Sequence, residues 1–280
     1  MAGSDELPYA IPNRRVDYIM APRQVPLGWW RAVGYTHNVF AFESFIDEMA
    51  HRAGEDPYIY RRRLLRDAPR HLGVLDAVAD AAGWRRDAPA GRDRGIAVFT
   101  GFGSYVGTVV EASVQGGGAG DDTAAAVATG DGTAADGDAP APGAGGAGDG
   151  ARRRSGEDGA IRVHRVWCAV DCGRIVNPAL VESQIQSGVV FGLTAALYGK
   201  LTLEDGGFRE GNFDAYRMLR MPELPEIHPV LVESDEHPTG VGEPPVPAVA
   251  PALANAIHAA IGRRLRDLPL DAGVADGSVA

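Results

Sequence analysis

From Val39 onward the apolar residues fall into helical spacing: Phe42, Phe45, Ile46, Met49 and Ala50, with Glu43, Asp47 and Glu48 between them. Asp56-Pro57 breaks this helix and opens a second, in which Tyr60, Leu64 and Leu65 are apolar and Arg61, Arg62, Arg63 and Arg66 are read as exposed. A third helix is expected from about His71 to Ala82, with Leu72, Leu75, Val78, Ala79 and Ala82 on one face and Gly83 as its C-cap. The pattern then changes. Gly95 to Val114 and Ile161 to Val170 are β-rich and read as hairpin partners. After Asn177-Pro178 a helix to about Leu197 places Val181, Ile185, Val189 and Leu193 on one stripe. Leu201 to Phe208 reads as a hairpin around Asp205-Gly206-Gly207, Ile227 to Ser234 as a strand, and Ala248 to Ile261 as a last helix ended by Gly262. Before all of this, Pro8, Pro12, Pro22 and Pro26 favour extended chain, with one strand over Arg14 to Met20. The fold class expected is α+β (mixed α/β), with helices packed on mixed sheets.

Composition changes that picture in one place. Gln115 to Ala160 holds 14 of the 37 glycines. Residues 121–149 carry six Asp, no Lys or Arg, and nothing bulkier than Val127. Such a stretch cannot bury enough apolar surface to offset its ordering entropy. It is read as a disordered Gly/Ala/Asp-rich insertion, 115–160, between two parts of one domain, 1–114 and 161–270, with a flexible tail at 271–280. The net charge of -10 is largely the same feature, because six of those charges lie in the insertion. An acidic chain is a poor binder of phosphate backbones, so nucleic acid is not expected as a partner. The longest uncharged apolar run, Ser187 to Gly199, is short of a membrane span. The start, Met1 to Glu6, is acidic and has no apolar h-region. A cytoplasmic location is expected as written, or a periplasmic one if a signal lies on further upstream sequence.

Candidate chemistry sits in three stretches. Thr239 to Pro247, TGVGEPPVP, opens the last helix. Gly240 and Gly242 permit close backbone approach to a ligand, and Glu243 is held on a rigid loop between Gly242 and Pro244. Glu243 is either a general base or a solvent-exposed residue in a turn. Gly28 to Phe40 places Arg31 beside Trp29 and Trp30, as an anion clamp or as a stem lying over the rings. In Asp171 to Gln186, Gln184 either hydrogen-bonds a heterocycle edge or faces water. Cys168 and Cys172 make neither a disulfide framework nor an iron–sulfur site. The seven His form no HxxxH or HxH pair, so no side-chain metal set is expected. GFGSYVG at 101–107 lacks the spacing of a nucleotide loop, and GxSxG is absent.

The order of these stretches is more specific than any one of them. WRAVGYTHNVFAFESFIDEMA, GIAVFTGFGSYVGTVVEASV, VWCAVDCGRIVNPALVESQIQSGVVFGLTAALYG, NFDAYRMLRMPELP and TGVGEPPVPAVAPALANAI follow one another along the chain. Together they resemble the molybdopterin-binding large subunit of the molybdenum hydroxylases, the xanthine dehydrogenase and aldehyde oxidase family, and within it the isoquinoline 1-oxidoreductase type. The resemblance implies that Glu243 of the GxGE motif is the catalytic base in hydroxylation of an N-heterocycle or aldehyde with water-derived oxygen. It implies that the Arg31 segment, Gln184, Gly240 and Gly242 bind the cofactor. Val33 falls where the family often has a pocket-wall aromatic. The implied cofactor is molybdopterin, of the cytosine dinucleotide type, carrying molybdenum on the pterin rather than on a side chain. A small 2Fe–2S subunit is the implied partner. Two upstream family loops, of GGGFG and MGQG type, do not occur in this sequence. The chain is therefore expected to be the C-terminal portion of such a domain: a fragment, or a split subunit needing an N-terminal partner chain. The competing expectations are a non-catalytic remnant or assembly module, and a generic small-ligand-binding α/β domain.

Overall fold

The computed structural model describes Gly3, residues 7–20, Val25, residues 28–115 and residues 159–272. Three helices come first: α1 (Tyr35–Arg52), α2 (Pro57–Leu64) and α3 (Pro69–Ala82). Asp56 caps α2 by accepting from the N–H groups of Tyr58 and Ile59, and Pro57 supplies a fixed φ at the first helical position. α3 ends where expected, at Gly83 with φ 62°.

The strands β1 (Asp93–Gly101), β2 (Ser104–Val114), β3 (Ile161–Asp171) and a later β6 (Glu226–Leu231) form one sheet in the order β1-β2-β3-β6. The first two pairings are antiparallel and the β3–β6 pairing is parallel. α4 (Pro178–Tyr198) and the small β4 (Leu203–Glu204)–β5 (Gly207–Phe208) hairpin lie between β3 and β6 in sequence, and α5 (Val249–Ile261) closes the fold. No helix of the described residues is long and apolar enough to cross a membrane.

The strand alternation supplies both faces of a three-layer arrangement. Ala97, Phe99, Val106, Val166, Cys168 and Val170 pack with α4 and α5. Ile96, Val98, Val109, Trp167 and Ala169 pack with α3, Tyr58 and Leu65 on the opposite face. Two glycines let helices touch the sheet backbone. A Cβ at Gly95 would lie 2.2 Å from the Ala252 carbonyl oxygen of α5, and one at Gly107 would lie 2.5 Å from the Val74 carbonyl oxygen of α3.

Several sequence expectations are corrected. Residues Arg14 to Met20 form no strand: Ile19 and Met20 are exposed, and Arg15 pairs only locally with Asp17. The run Gly95 to Val114 is two strands, because Phe102 and Gly103, at φ 55° and 78°, make a two-residue hairpin turn. On α1 the inward face is not Phe42, Phe45 and Met49 but Val39, Glu43, Ile46, Asp47 and Ala50, and Phe45 is exposed. The reason is Arg61, read as exposed but completely buried. Its Nε donates to Glu43 Oε2 at 3.0 Å, its NH1 to Asp47 Oδ1 at 3.4 Å, and its NH2 to the Glu43 carbonyl at 2.8 Å. Tyr9 Oη donates to Glu43 Oε1 at 2.5 Å, and the Val98 N–H of β1 donates to Glu43 Oε2 at 3.0 Å. Arg264 completes the set at Asp47 Oδ2, 2.6 Å away. Burial alone would lower the Arg61 pKa, but Glu43, Tyr9 and Asp47 outweigh it and hold it above its ordinary value. Buried charges persist only when paired, and this network is the pairing.

Of the insertion expected at 115–160, residues 116–158 lie outside the described residues, as do residues 273–280 of the tail expected at 271–280. At its described edge the β2–β3 ladder carries on past Val114: Gln115 N–H donates to Ala160 O at 3.0 Å and Gly159 N–H to Gln115 O at 2.7 Å.

Candidate functional site

Four segments distant in sequence converge at one end of the sheet. They are the loop before α1, the β1–β2 turn, the N-terminal half of α4, and the loop entering α5.

The loop entering α5 is fixed from both sides. Thr239 N–H donates to the Cys172 carbonyl at 2.9 Å, at the end of β3. Ser104, fully buried, donates to the Gly240 carbonyl at 2.6 Å and meets Thr239 Oγ1 at 2.7 Å. Further along, Pro244 to Pro247 are buried. Gly188 of α4 lies so close that a Cβ there would sit 2.6 Å from Pro245 Cβ. The turn that follows β3 is anchored at Asp171. Arg70 donates to it twice at 2.7 Å, and the Gly173 N–H and Ser234 Oγ each donate at 2.9 Å. Burial raises the Asp171 carboxyl, but these donors outweigh it and hold it below the usual carboxylate range.

Arg31 is the tie between the other segments. Its Nε donates to the Gly242 carbonyl at 2.7 Å, with NH2 on the same oxygen. Its NH1 donates to Ser187 Oγ at 2.9 Å, and its NH2 to Gln184 Oε1 at 3.2 Å. Phe191, one helical turn further along α4, lies under the guanidinium at 5.6 Å and against Trp30 at 4.6 Å. Burial pulls the Arg31 pKa below its ordinary value, with Glu243 opposing. The planar fork thus serves three protein acceptors, a geometry that a Lys would not match.

Glu243 stands at the meeting point. Its Oε1 accepts the Ala32 N–H at 2.8 Å. Oε2 accepts no hydrogen bond from the described residues. Ala32 and Val33 hold φ of 71° and 41°. For a β-branched residue this is a strained backbone, costing of order 1–3 kcal/mol, sustained where surrounding contacts over-determine it. Arg31 and the Ala32–Glu243 bond are those contacts.

Gly240 and Gly242 are exposed, and neither has a positive φ. A Cβ at Gly240 would meet nothing nearer than Phe102 Cβ at 3.6 Å, and one at Gly242 only Gln184 Oε1 at 3.9 Å. Neither conformation nor internal packing requires glycine at either position. What the missing side chains leave is bare backbone beside a carboxylate, a cradle that two methyl groups would fill.

The structure therefore brings Arg31, Gln184, Gly242 and Glu243 into one contact set, with Gly240 two residues from Gly242 on the same loop. Sequence reasoning misses Ser187, Phe191, Ser104 and Thr239. Ser187 and Phe191 are recoverable, being three and seven positions after Gln184 on one helix face. Cys168 and Cys172 are free thiols. Burial pushes Cys168 up to about 12, which makes it inert. A cleft of about 490 Å³ lined by Arg86, Arg94, Arg165, Trp167 and His228 shares no residue with this set.

Residues 155–225 match the molybdopterin cofactor-binding domain family, a stretch that contains α4 with Gln184, Ser187 and Phe191. The chain is 30% identical over 265 residues to the beta chain of isoquinoline 1-oxidoreductase from Brevundimonas diminuta, covering 94% of this chain and 29% of that one. It is 33% identical over 267 residues to a nicotinate dehydrogenase subunit from Pseudomonas putida, covering 95% and 20%. The fold is shared with quinoline 2-oxidoreductase from Pseudomonas putida 86, with a TM-score of 0.64 and 13% identity over 87% of this chain and 52% of that one. The chain spans less than a third of the length of the two curated relatives.

Proposed function

From a chain homologous to the molybdopterin-binding subunits of the xanthine dehydrogenase and aldehyde oxidase family, we propose that these loops form the base-bearing wall of a molybdenum hydroxylase active site. The substrate is an N-heterocycle or an aldehyde. Isoquinoline and nicotinate, the compounds that name two relatives, belong to the first class. The observation that carries the reading is Glu243 with one oxygen pinned by the Ala32 N–H and the other taken by no donor among the described residues, between bare glycine backbone and the Arg31 tie.

The donor set fits the group. The exposed backbone at Gly240 and Gly242 leaves space for a bulky cofactor, and Gln184 presents a side-chain amide beside it. The form expected is molybdopterin cytosine dinucleotide. When bound, it supplies the two-electron oxidation chemistry and the activated oxygen. This chain supplies the rest. Glu243 takes up a proton at Oε2 while Oε1 stays fixed, so the base needs no reorientation at the moment of transfer. Arg31 locks the Gly242 carbonyl and with it the backbone that carries Glu243. Trp30 and Phe191 pack against each other beside the Arg31 guanidinium and add an apolar surface to the site. A small 2Fe–2S subunit would take the electrons onward.

The test is Glu243→Gln in the assembled enzyme. Pterin and molybdenum content should be unchanged, and turnover of an N-heterocycle should fall by roughly 10²–10⁴-fold. Unchanged turnover removes Glu243 from the chemistry. Absence of pterin from both forms assigns the chain to a non-catalytic assembly module instead.

A further inference from the structure

α1 and α5 pack against each other on the side of the molecule that carries the buried Arg61 network. At their contact His51 Nε2 lies 3.3 Å from Asp47 Oδ2. The His51 and His258 rings meet at 4.7 Å between centroids, inclined at 64°. One ligand atom from each of Asp47, His51 and His258 lies within 4.8 Å of the other two. Nδ1 of His258 is buried and has no hydrogen-bond partner among the described residues. Buried polar atoms are normally satisfied, so this orphan requires an explanation.

We propose that Asp47, His51 and His258 bind a divalent transition-metal ion, Zn²⁺ fitting best, and so clasp α1 to α5. Two imidazole nitrogens and one carboxylate oxygen are a zinc-type donor set, whereas Mg²⁺ and Ca²⁺ take oxygen shells. Metal–ligand bonds of about 2.0–2.1 Å at a tetrahedral angle separate neighbouring ligand atoms by about 3.4 Å. The His51–Asp47 pair already stands at that spacing. The remaining separation closes by rotation of rings that are not fully enclosed, His51 being 41% exposed. The carboxylate is held for the purpose. Arg61 donates to Oδ1 and Arg264 to Oδ2, and each oxygen keeps a second lone-pair direction. Such outer partners orient a ligating carboxylate and balance its charge. The fourth position opens toward solvent beside His51 and would hold water. No residue is shared with the Glu243 site, so the two readings stand or fall separately.

The test is calorimetric titration of the chelator-stripped chain with Zn²⁺, with Co²⁺ absorption reporting coordination. One ion per chain should bind saturably and raise the Tm. His51→Ala and His258→Ala should each weaken binding about tenfold or more, with circular dichroism unchanged. His51 lies at the surface, so its variant decides the matter even if the His258 variant fails to fold. Absence of one-to-one binding, or undiminished affinity in His51→Ala, as a loose association with the Asp-rich stretch 121–149 would give, overturns the proposal.

Discussion

Arg61→Met removes a fully buried cation in contact with two buried carboxylates, Glu43 at 3% exposure and Asp47 at 2%. Asp47 keeps Arg264, but Glu43 is left with the Tyr9 hydroxyl and the Val98 N–H and no opposing charge. Removing one partner of a buried ion pair costs about 3–5 kcal/mol, mostly through the charge left behind. At 1.36 kcal/mol per decade this is roughly a 10²–10⁴-fold shift in the unfolding equilibrium. Urea unfolding followed by circular dichroism should show a lower midpoint at unchanged m. The second arm is Arg61→Met combined with Glu43→Gln. The amide introduced by Glu43→Gln can still accept from the Val98 N–H through its oxygen, can donate through its nitrogen to the Tyr9 hydroxyl, and carries no charge. The double variant should therefore recover about 2–3 kcal/mol relative to the sum of the single variants. A cost below about 1 kcal/mol for Arg61→Met, or strict additivity in the double variant, refutes the reasoning.

Two further outcomes follow from packing and protonation. His71 is buried against Tyr105, its Nε2 has no partner among the described residues, and burial, with Arg70 adding to it, lowers its pKa to about 4. The unfolded chain, with His near 6.5, therefore binds the proton first, and stability is lost as pH falls from about 6.5 to 4, by up to about 3 kcal/mol from this residue. Thermal unfolding of His71→Leu across that window should show a flatter slope than the parent, and identical slopes would exclude the assignment. Gly95→Ala forces a methyl group into α5 backbone and should cost about 3 kcal/mol or more, while Gly211→Ala, with open space around it, should stay within about 0.5 kcal/mol. Chemical denaturation of the two variants side by side checks this, and equal stabilities would mean that α5 does not seat on β1 as described.

Helices and strands with an apolar stripe are legible in the sequence. The α4 stripe Val181, Ile185, Val189 and Leu193 is buried as expected, and α3 and α5 end at the glycines expected to end them. The α1 face is not legible, because periodicity counts Glu43 and Asp47 as outward. Their inward direction depends on Arg61 in α2 and on Arg264 near the far end of the chain, partners that no local window contains. The break at Phe102-Gly103 is hidden because the strands on both sides are equally β-rich. At the site, the loop carrying Glu243 and the loop carrying Arg31 can be picked out one by one. Their contact, with the guanidinium spent on protein acceptors, is a product of the tertiary fold.

The Glu43 carboxylate has one more consequence, at the margin of the sheet. β1 is a terminal strand, and its outward-facing Val98 N–H is taken by Glu43 rather than left for a passing chain. At the opposite margin β6 carries Pro229, which has no N–H to give. An open margin is a template on which like molecules add strand to strand. Here one margin is answered by a charge from within and the other by a residue that cannot reply, so the same ionic cluster that holds the N-terminal helices in place also helps keep each molecule from recruiting its neighbours into a fibre.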